Sequence, residues 1–286
     1  MVSDGLDLSD KINLSETCKR FYGILNYDCK RLWGRLESPG KIKVLYNLAY
    51  LRPGQIACPE CLVLHNIDYN DLPTRAESPV CSHFDRYRIH EDISVPYESS
   101  HARVQLALKF MRTGTHSLYL AQLLRPYTYL RSVSLMSAPH VLDVSLTLEP
   151  RIYDGHYILG ICWTIHGAAE VKNYVNPRFP PFGLCPHLGT LEFKDGGFLQ
   201  AARRAMDDAL VAVKGCCISC RTDYVIVYNG VELIIQVWKD LGTEETLFLG
   251  PTDYNWRMFI RNSNRRSPFA TIIRTTSRQC MMRLEH

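Results

Sequence analysis

Apolar residues change their spacing along this chain, and the changes divide it. In residues 6–25, Leu14, Cys18, Phe21 and Leu25 fall on one helical face, and Asn13 with Glu16 is placed to form a capping box. Ile42, Leu45, Leu48 and Ala49 share a face of a second helix, which Ser38-Pro39 opens and Pro53-Gly54 stops. Residues 98–125 read as two more helices. Ser99 or Ser100 caps the first, whose face is Val104, Ala107, Leu108 and Met111 and which Gly114 ends. Thr115 caps the second, with Leu118, Ala121 and Leu124 before Pro126.

From Leu130 the period falls to two. Leu142, Val144, Leu146 and Leu148 alternate with polar neighbours, and Asp154-Gly155 turns the chain into Tyr157–Ile165. Helical spacing returns in Phe198, Ala202, Met206, Leu210 and Val213, with Gly215 as a left-handed cap. Thr222–Tyr228, Asn229-Gly230 and Val231–Trp238 then spell a hairpin whose two turn residues take positive φ. Trp238–Gly242 leaves the sheet, and Pro251–Trp256 begins a last short helix. The pattern predicts an α+β fold: N-terminal helices with a helical zinc lobe, followed by an antiparallel β-sheet lobe carrying a zinc-knuckle-like site.

Composition narrows the class. With 286 residues, 46% of them apolar, the chain is globular and buries a sizeable core. Eleven cysteines are an odd number in a chain long for a disulfide scaffold, and they cluster in pairs, which points to metal in a reducing compartment. Neither a signal peptide nor an apolar run of bilayer length is present, so the expected location is cytoplasm or nucleus, with no membrane partner. A net charge of +4 is mild for this length and does not by itself imply nucleic acid. Arg257, Arg261, Arg265, Arg266, Arg274, Arg278 and Arg283 stand against Glu285 alone near the C-terminus, a solvated basic tail.

Two cysteine constellations carry candidate chemistry. Cys185-Pro186-His187 and Cys217-x2-Cys220 form two short-spaced pairs, the donor number a tetrahedral zinc ion needs once the intervening helix folds back. Cys216 is expected to be a neighbour of that site, not a ligand. Cys58-x2-Cys61 with Cys81-x-His83 is a second candidate zinc site, in which His65 competes with His83 for the fourth position. Were Cys58 and Cys61 to pair with Cys185 and His187 instead, the chain would be one metal-stapled unit.

Catalytic readings find little support. A zinc deaminase needs His-x-Glu and Pro-Cys-x2-Cys, whereas three residues separate His166 from Glu170 and no proline precedes Cys217. His-Glu-x2-His, Gly-x-Ser-x-Gly and phosphate-loop motifs are absent, so no catalytic residue is assigned. Lys and Arg interleaved with aromatics do not surround the knuckles, so nucleic acid is not an expected partner.

The order of the motifs resembles a group of fungal F-box proteins. Leu6, Asp10, Leu14, Cys18, Lys19 and Phe21 fill the second half of an F-box pattern. Arg52-Pro53-Gly54, Cys58 to His65, Cys185 to His187, Cys217 to Tyr224 and Trp238 to Gly242 follow as that group has them. The resemblance implies a substrate receptor of a Skp/cullin/F-box ubiquitin ligase, with a Skp-type adaptor contacted around Leu14, Cys18 and Phe21, structural zinc, and a protein target it does not name. It divides the chain into a partial F-box at 1–36, a helical region with the Cys-x2-Cys knuckle at 37–125, a sheet region with the second zinc-like site at 126–260, and the basic tail at 261–286. The first F-box helix is not in these residues, so weak or absent adaptor binding is expected of the chain as given, restored by grafting on a leading Leu-Pro helix. A relative acting as a zinc-stabilised interaction module outside any ligase is the alternative, and a zinc-dependent nucleic-acid binder a lesser one.

Overall fold

The computed structural model describes residues 5–58, 61–73, 101–134, 141–167, 184–185, 197–217 and 220–244. The helix expected from Pro251 and the basic tail lie outside these residues. Helices come first and strands dominate later, a mixed α+β chain with a two-stranded and a six-stranded antiparallel sheet. The chain divides into two compact units. Of the described residues, the first comprises those up to Tyr127, Pro150–Tyr157 and 242–244; the second comprises those within Thr128–Glu149 and Ile158–Leu241.

In the first unit, α1 (Leu8–Thr17) and α2 (Lys19–Arg35) replace the single helix expected over residues 6–25. Cys18 is extended, with φ −159° and ψ 159°, and breaks the helical face at that point. The N-cap is Asp7, whose carboxylate accepts from the Asp10 N–H at 2.9 Å, so Asn13 and Glu16 lie inside the helix and make no capping box. Glu16 instead meets Arg52 at 2.5 Å, and Ser9 accepts from Asn47 of α3 at 3.2 Å.

Helix α3 (Ser38–Leu51) begins on its proline as expected and buries Ile42, Leu45, Leu48 and Ala49. Its C-terminal carbonyls are satisfied from another helix. Lys109 of α4 (His101–Thr113) donates its ammonium hydrogens to the carbonyls of Ala49, Arg52 and Gln55, and Arg112 donates to that of Tyr50 at 2.8 Å. Burial pushes the Lys109 ammonium down to about 8, with Glu244 opposing and Arg112 reinforcing that shift. Ile42, Leu45, Tyr46, Ala49 and Ala57 form one core cluster, with Trp33, Leu62 and Leu64 packed on it.

Strands β1 (Gln55–Cys58) and β2 (Val63–Asn66) form a small antiparallel hairpin. Helix α4 places Val104, Ala107 and Leu108 inside as expected, but Phe110 is fully buried where Met111 is half exposed. Helix α5 (Ser117–Leu123) starts from His116, held at φ 54°, not from a Thr115 cap. That start turns Tyr119 and Leu123 inward and leaves Leu118 82% exposed, overturning the expected face of Leu118, Ala121 and Leu124. Tyr119 gains an edge contact on Phe110, centroids 5.7 Å apart, and its hydroxyl donates to the Asp71 carbonyl at 2.9 Å.

The six-stranded sheet has the order β3-β4-β5-β8-β7-β6. Its members are β3 (Tyr127–Ser134), β4 (Val141–Tyr153), β5 (His156–Ile165), β6 (Val213–Cys216), β7 (Thr222–Tyr228) and β8 (Leu233–Thr243). Asp154 and Gly155 join β4 to β5 at φ 49° and 72°, the two positive values a two-residue hairpin turn requires. Alternation buries Val144, Leu146 and Leu148 on β4, Leu159, Ile161, Trp163 and Ile165 on β5, and Leu233, Ile235 and Val237 on β8.

Three expectations in the second unit are corrected. The turn at Asn229-Gly230 is wider than two residues, because Tyr228 pairs with Leu233 and only Gly230 has positive φ. The Asn229 carboxamide oxygen accepts from the N–H groups of Val231 (2.9 Å) and Glu232 (2.6 Å), so the side chain organises a longer loop. Residues Trp238–Gly242 stay in the sheet: Trp238 pairs with Asp223, Lys239 with Thr222, and β8 continues to Thr243. Helix α6 (Gly197–Asp207) buries Phe198, Ala202 and Met206 but ends before Leu210, which is 69% exposed at φ 72°. Val213 and Gly215 are therefore in β6, and Gly215 caps no helix.

Candidate metal centres

Both Cys-x2-Cys pairs sit in the turn of a β-hairpin. In the first unit, Cys58 ends β1 opposite Val63 and Ile56 lies opposite His65. Residues directly opposite share a sheet face, as do residues two apart, so Cys58 and His65 point to the same side. The Sγ atoms of Cys58 and Cys61 and a ring nitrogen of His65 all lie within 4.8 Å of one another. The Cys61 N–H donates to Cys58 Sγ at 3.4 Å. Leu62 is held at φ 54°, a conformation costly for a leucine, as the chain curls back toward β2. Cys81 and His83, the remaining members of the expected set, lie outside the described residues.

In the second unit, Cys217 and Cys220 flank the turn from β6 to β7, and Cys185 joins them from the Leu184–Cys185 segment. Their three thiols also lie within 4.8 Å of one another, and all three are buried. A tetrahedral zinc ion with Zn–S bonds near 2.3 Å places its sulfurs about 3.8 Å apart, within that limit. Cys216 is exposed while Cys217 is buried, because successive strand residues face opposite ways. That parity makes Cys216 a neighbour, as the sequence suggested. His187 lies outside the described residues. Each of the two clusters is thus built within its own unit.

Hydrogen bonds shape the turn that carries the second cluster. The Cys217 N–H donates to the Thr222 carbonyl at 2.8 Å and the Thr222 N–H to the Cys220 carbonyl at 2.9 Å, which closes the turn. The Thr222 hydroxyl is 3.2 Å from Cys220 Sγ. Hydrogen bonding with Cys185 and then with Cys217, followed by burial, pushes the Cys220 thiol well above its ordinary value, and Thr222 opposes the shift. Three crowded buried sulfurs without a cation resist ionising, whereas a divalent ion supplies the missing positive charge.

Residues outside the expected ligands hold this turn in place. Arg221 Nη1 pairs with Asp240 Oδ2 at 3.0 Å, where the Asp240 side chain is 1% exposed, and the Asp240 N–H donates to the Arg221 carbonyl at 3.0 Å. Thr222-Asp223-Tyr224 and Trp238-Lys239-Asp240, far apart in sequence, are therefore one pair of neighbouring strands. Tyr224 lies across Gly215, where any Cβ would overlap its ring, and meets Phe198 edge-on with centroids 5.7 Å apart. Sequence periodicity did not expose the Arg221–Asp240 pair, although Asp240 stands within the Trp238–Gly242 motif.

Of the residues assigned to the adaptor, Leu14 is half-buried in α1, Cys18 is exposed at the α1–α2 break, and Phe21 lies in the first turn of α2. No helix among the described residues is long and apolar enough to cross a membrane. Comparison with protein-family models, curated proteins and solved structures gave no match.

Proposed function

We propose that the chain is a zinc-stapled, non-enzymatic receptor protein of the Skp/cullin/F-box kind, in which two structural zinc ions hold the hairpin turns and the α1–α2 segment meets a Skp-type adaptor. The observation that carries the zinc reading is the second thiol cluster. Three buried sulfurs converge from two remote segments, with a threonine hydroxyl on one of them and an ion pair bracing the turn. Cys58, Cys61 and His65 serve the other ion, each site being completed by a fourth donor from outside the described residues. The adaptor reading is supported by the F-box-like order of Leu6, Asp10, Leu14, Cys18, Lys19 and Phe21 and by the exposure of Cys18 and, on α2, Tyr22 and Tyr27.

Two measurements test the proposal. Elemental analysis of the purified chain is expected to return two zinc equivalents; none would remove the metal reading. For the adaptor, a Leu-Pro helix is grafted ahead of Met1 and the protein is used to pull down a Skp-type partner, beside the same protein carrying Cys18→Glu. Retention by the first and loss by the second is expected. Equal retention by the two would overturn the assigned face, and failure of both would leave a zinc-stapled interaction module outside the ligase.

A further inference from the structure

Within the first unit, the ends of α3, α4 and β8 and the β4–β5 turn surround a cleft of about 350 Å³. This is near the lower bound for small-molecule sites, with room for one or two side chains. Tyr50, Leu108, Met111 and Ile152 give it apolar walls, and Arg112 with Glu244 gives it one polar end. Arg112 is fixed in place. Its Nε and Nη2 donate to the two carboxylate oxygens of Glu244 at 2.6 and 3.2 Å, Nη2 also reaches the Tyr50 carbonyl at 2.8 Å, and the guanidinium lies 3.5 Å from the Tyr50 ring centroid.

This arrangement leaves the Nη1 hydrogens of Arg112 without an acceptor among the described residues. Among the described residues it also leaves positive charge over. Lys109 and Arg112 are two cations beside one buried acid, Glu244, and the Lys109 ammonium is already committed to three backbone carbonyls. An acceptor that is itself anionic answers both conditions, and the walls require that it be carried on an apolar body. An internal peptide segment offers only neutral carbonyls, and an acidic side chain has no apolar body to bury.

We propose that this cleft binds the free C-terminus of a polypeptide ending in an apolar residue, the carboxylate on Arg112 Nη1 and the last side chain among Tyr50, Leu108, Met111 and Ile152. This rests on the receptor reading and names its substrate class. Because Glu244 and Tyr50 already hold the guanidinium, binding orders little that was free beforehand.

The test is fluorescence anisotropy of the full chain with labelled Gly/Ser decapeptides ending in Leu or Met as free acids, beside the same peptides amidated and a set ending in Asp. The free acids are expected to bind, and amidation or the terminal Asp to weaken binding at least tenfold. Arg112→Gln should do the same. Because Arg112 also braces α3, Met111→Asp at the half-exposed rim is the second variant, expected to weaken binding at least tenfold with an unchanged melting temperature. No binding of the free acids, equal binding of the amides, or an unaffected Met111→Asp protein would overturn the proposal. Equal competition by octanoate would overturn the assignment to a chain terminus. Adaptor pull-down reads a different surface, so loss of peptide binding with the adaptor retained rejects only the cleft, and the reverse rejects only the ligase reading.

Discussion

Cys58 and Cys61 close the turn between β1 and β2 and take their third donor, His65, from the next strand of the same hairpin. Cys217 and Cys220 close the turn between β6 and β7 but take theirs, Cys185, from beyond a helix. The first cluster is local and partly exposed; the second is buried and joins segments remote in sequence. Staples differ in effect according to the loop they close. Joining chain roughly 30 residues apart removes more freedom from the unfolded state than joining a short hairpin that turns readily by itself. The two knuckles share a ligand spacing and should differ in how much of the fold depends on them.

Replacing one ligand in each is the sharpest way to break that comparison. Cys220→Ser is expected to lose one zinc equivalent and to unfold the second unit's knuckle, with a stability loss on the order of several kcal/mol, whereas Cys61→Ser loses the other equivalent at a fraction of that cost. Zinc content and chemical denaturation of both variants read this out; equal losses would remove the distinction. Because the Cys220 thiol stands above its ordinary value, zinc must displace protons there, and affinity at this cluster should fall as pH falls. A chelator titration that competes equally at low and high pH would contradict it.

The second unit's knuckle also depends on the sheet. Asp240→Ala removes the carboxylate from a buried ion pair with Arg221, an expected loss of about 3–5 kcal/mol. If urea denaturation gives less than about 1 kcal/mol, the turn is held by its sulfurs alone. Gly215→Ala forces the Tyr224 ring aside, with an expected cost of about 1–3 kcal/mol. The paired variant Gly215→Ala with Tyr224→Leu should recover part of that loss, and recovery of none would place the strain elsewhere.

The smallest effect belongs to the first unit. Burial holds Lys109 at about 8, below its ordinary 10.5, so between these values the unfolded chain binds more protons than the folded one. Its contribution to stability therefore rises with pH across that window and is constant below it. The difference in unfolding free energy between the native chain and Lys109→Met should widen from pH 7.5 to pH 9.5. A difference that narrows would mean that the three carbonyls outweigh burial and keep the ammonium charged.

Local rules carried much of the architecture. Pro39 started α3, Asp154-Gly155 turned β4 into β5, and alternation marked the buried face of β4, because each follows from backbone sterics or from one element meeting one core. The cysteine spacings were legible for the same reason: a Cys-x2-Cys turn is set by a few adjacent residues. Three features that looked local were decided by contacts from afar. Gly215 read as a helix cap until Tyr224 required its missing side chain, and Leu118 read as core until Tyr119 found Phe110 and the Asp71 carbonyl. Residues 238–242 looked like an exit from the sheet until Asp240 met Arg221.

By itself the sequence determined the fold class, the start of α3 and the cysteine pairs that could bind metal, since periodicity, proline geometry and donor chemistry belong to short stretches of chain. Only the tertiary structure decided that His65 joins Cys58 and Cys61, that Tyr224 covers Gly215, and that Lys109 and Arg112 close the end of α3. Those outcomes depend on strand register and on which helices pack together, which are set by burial summed over the whole unit and not by any single stretch.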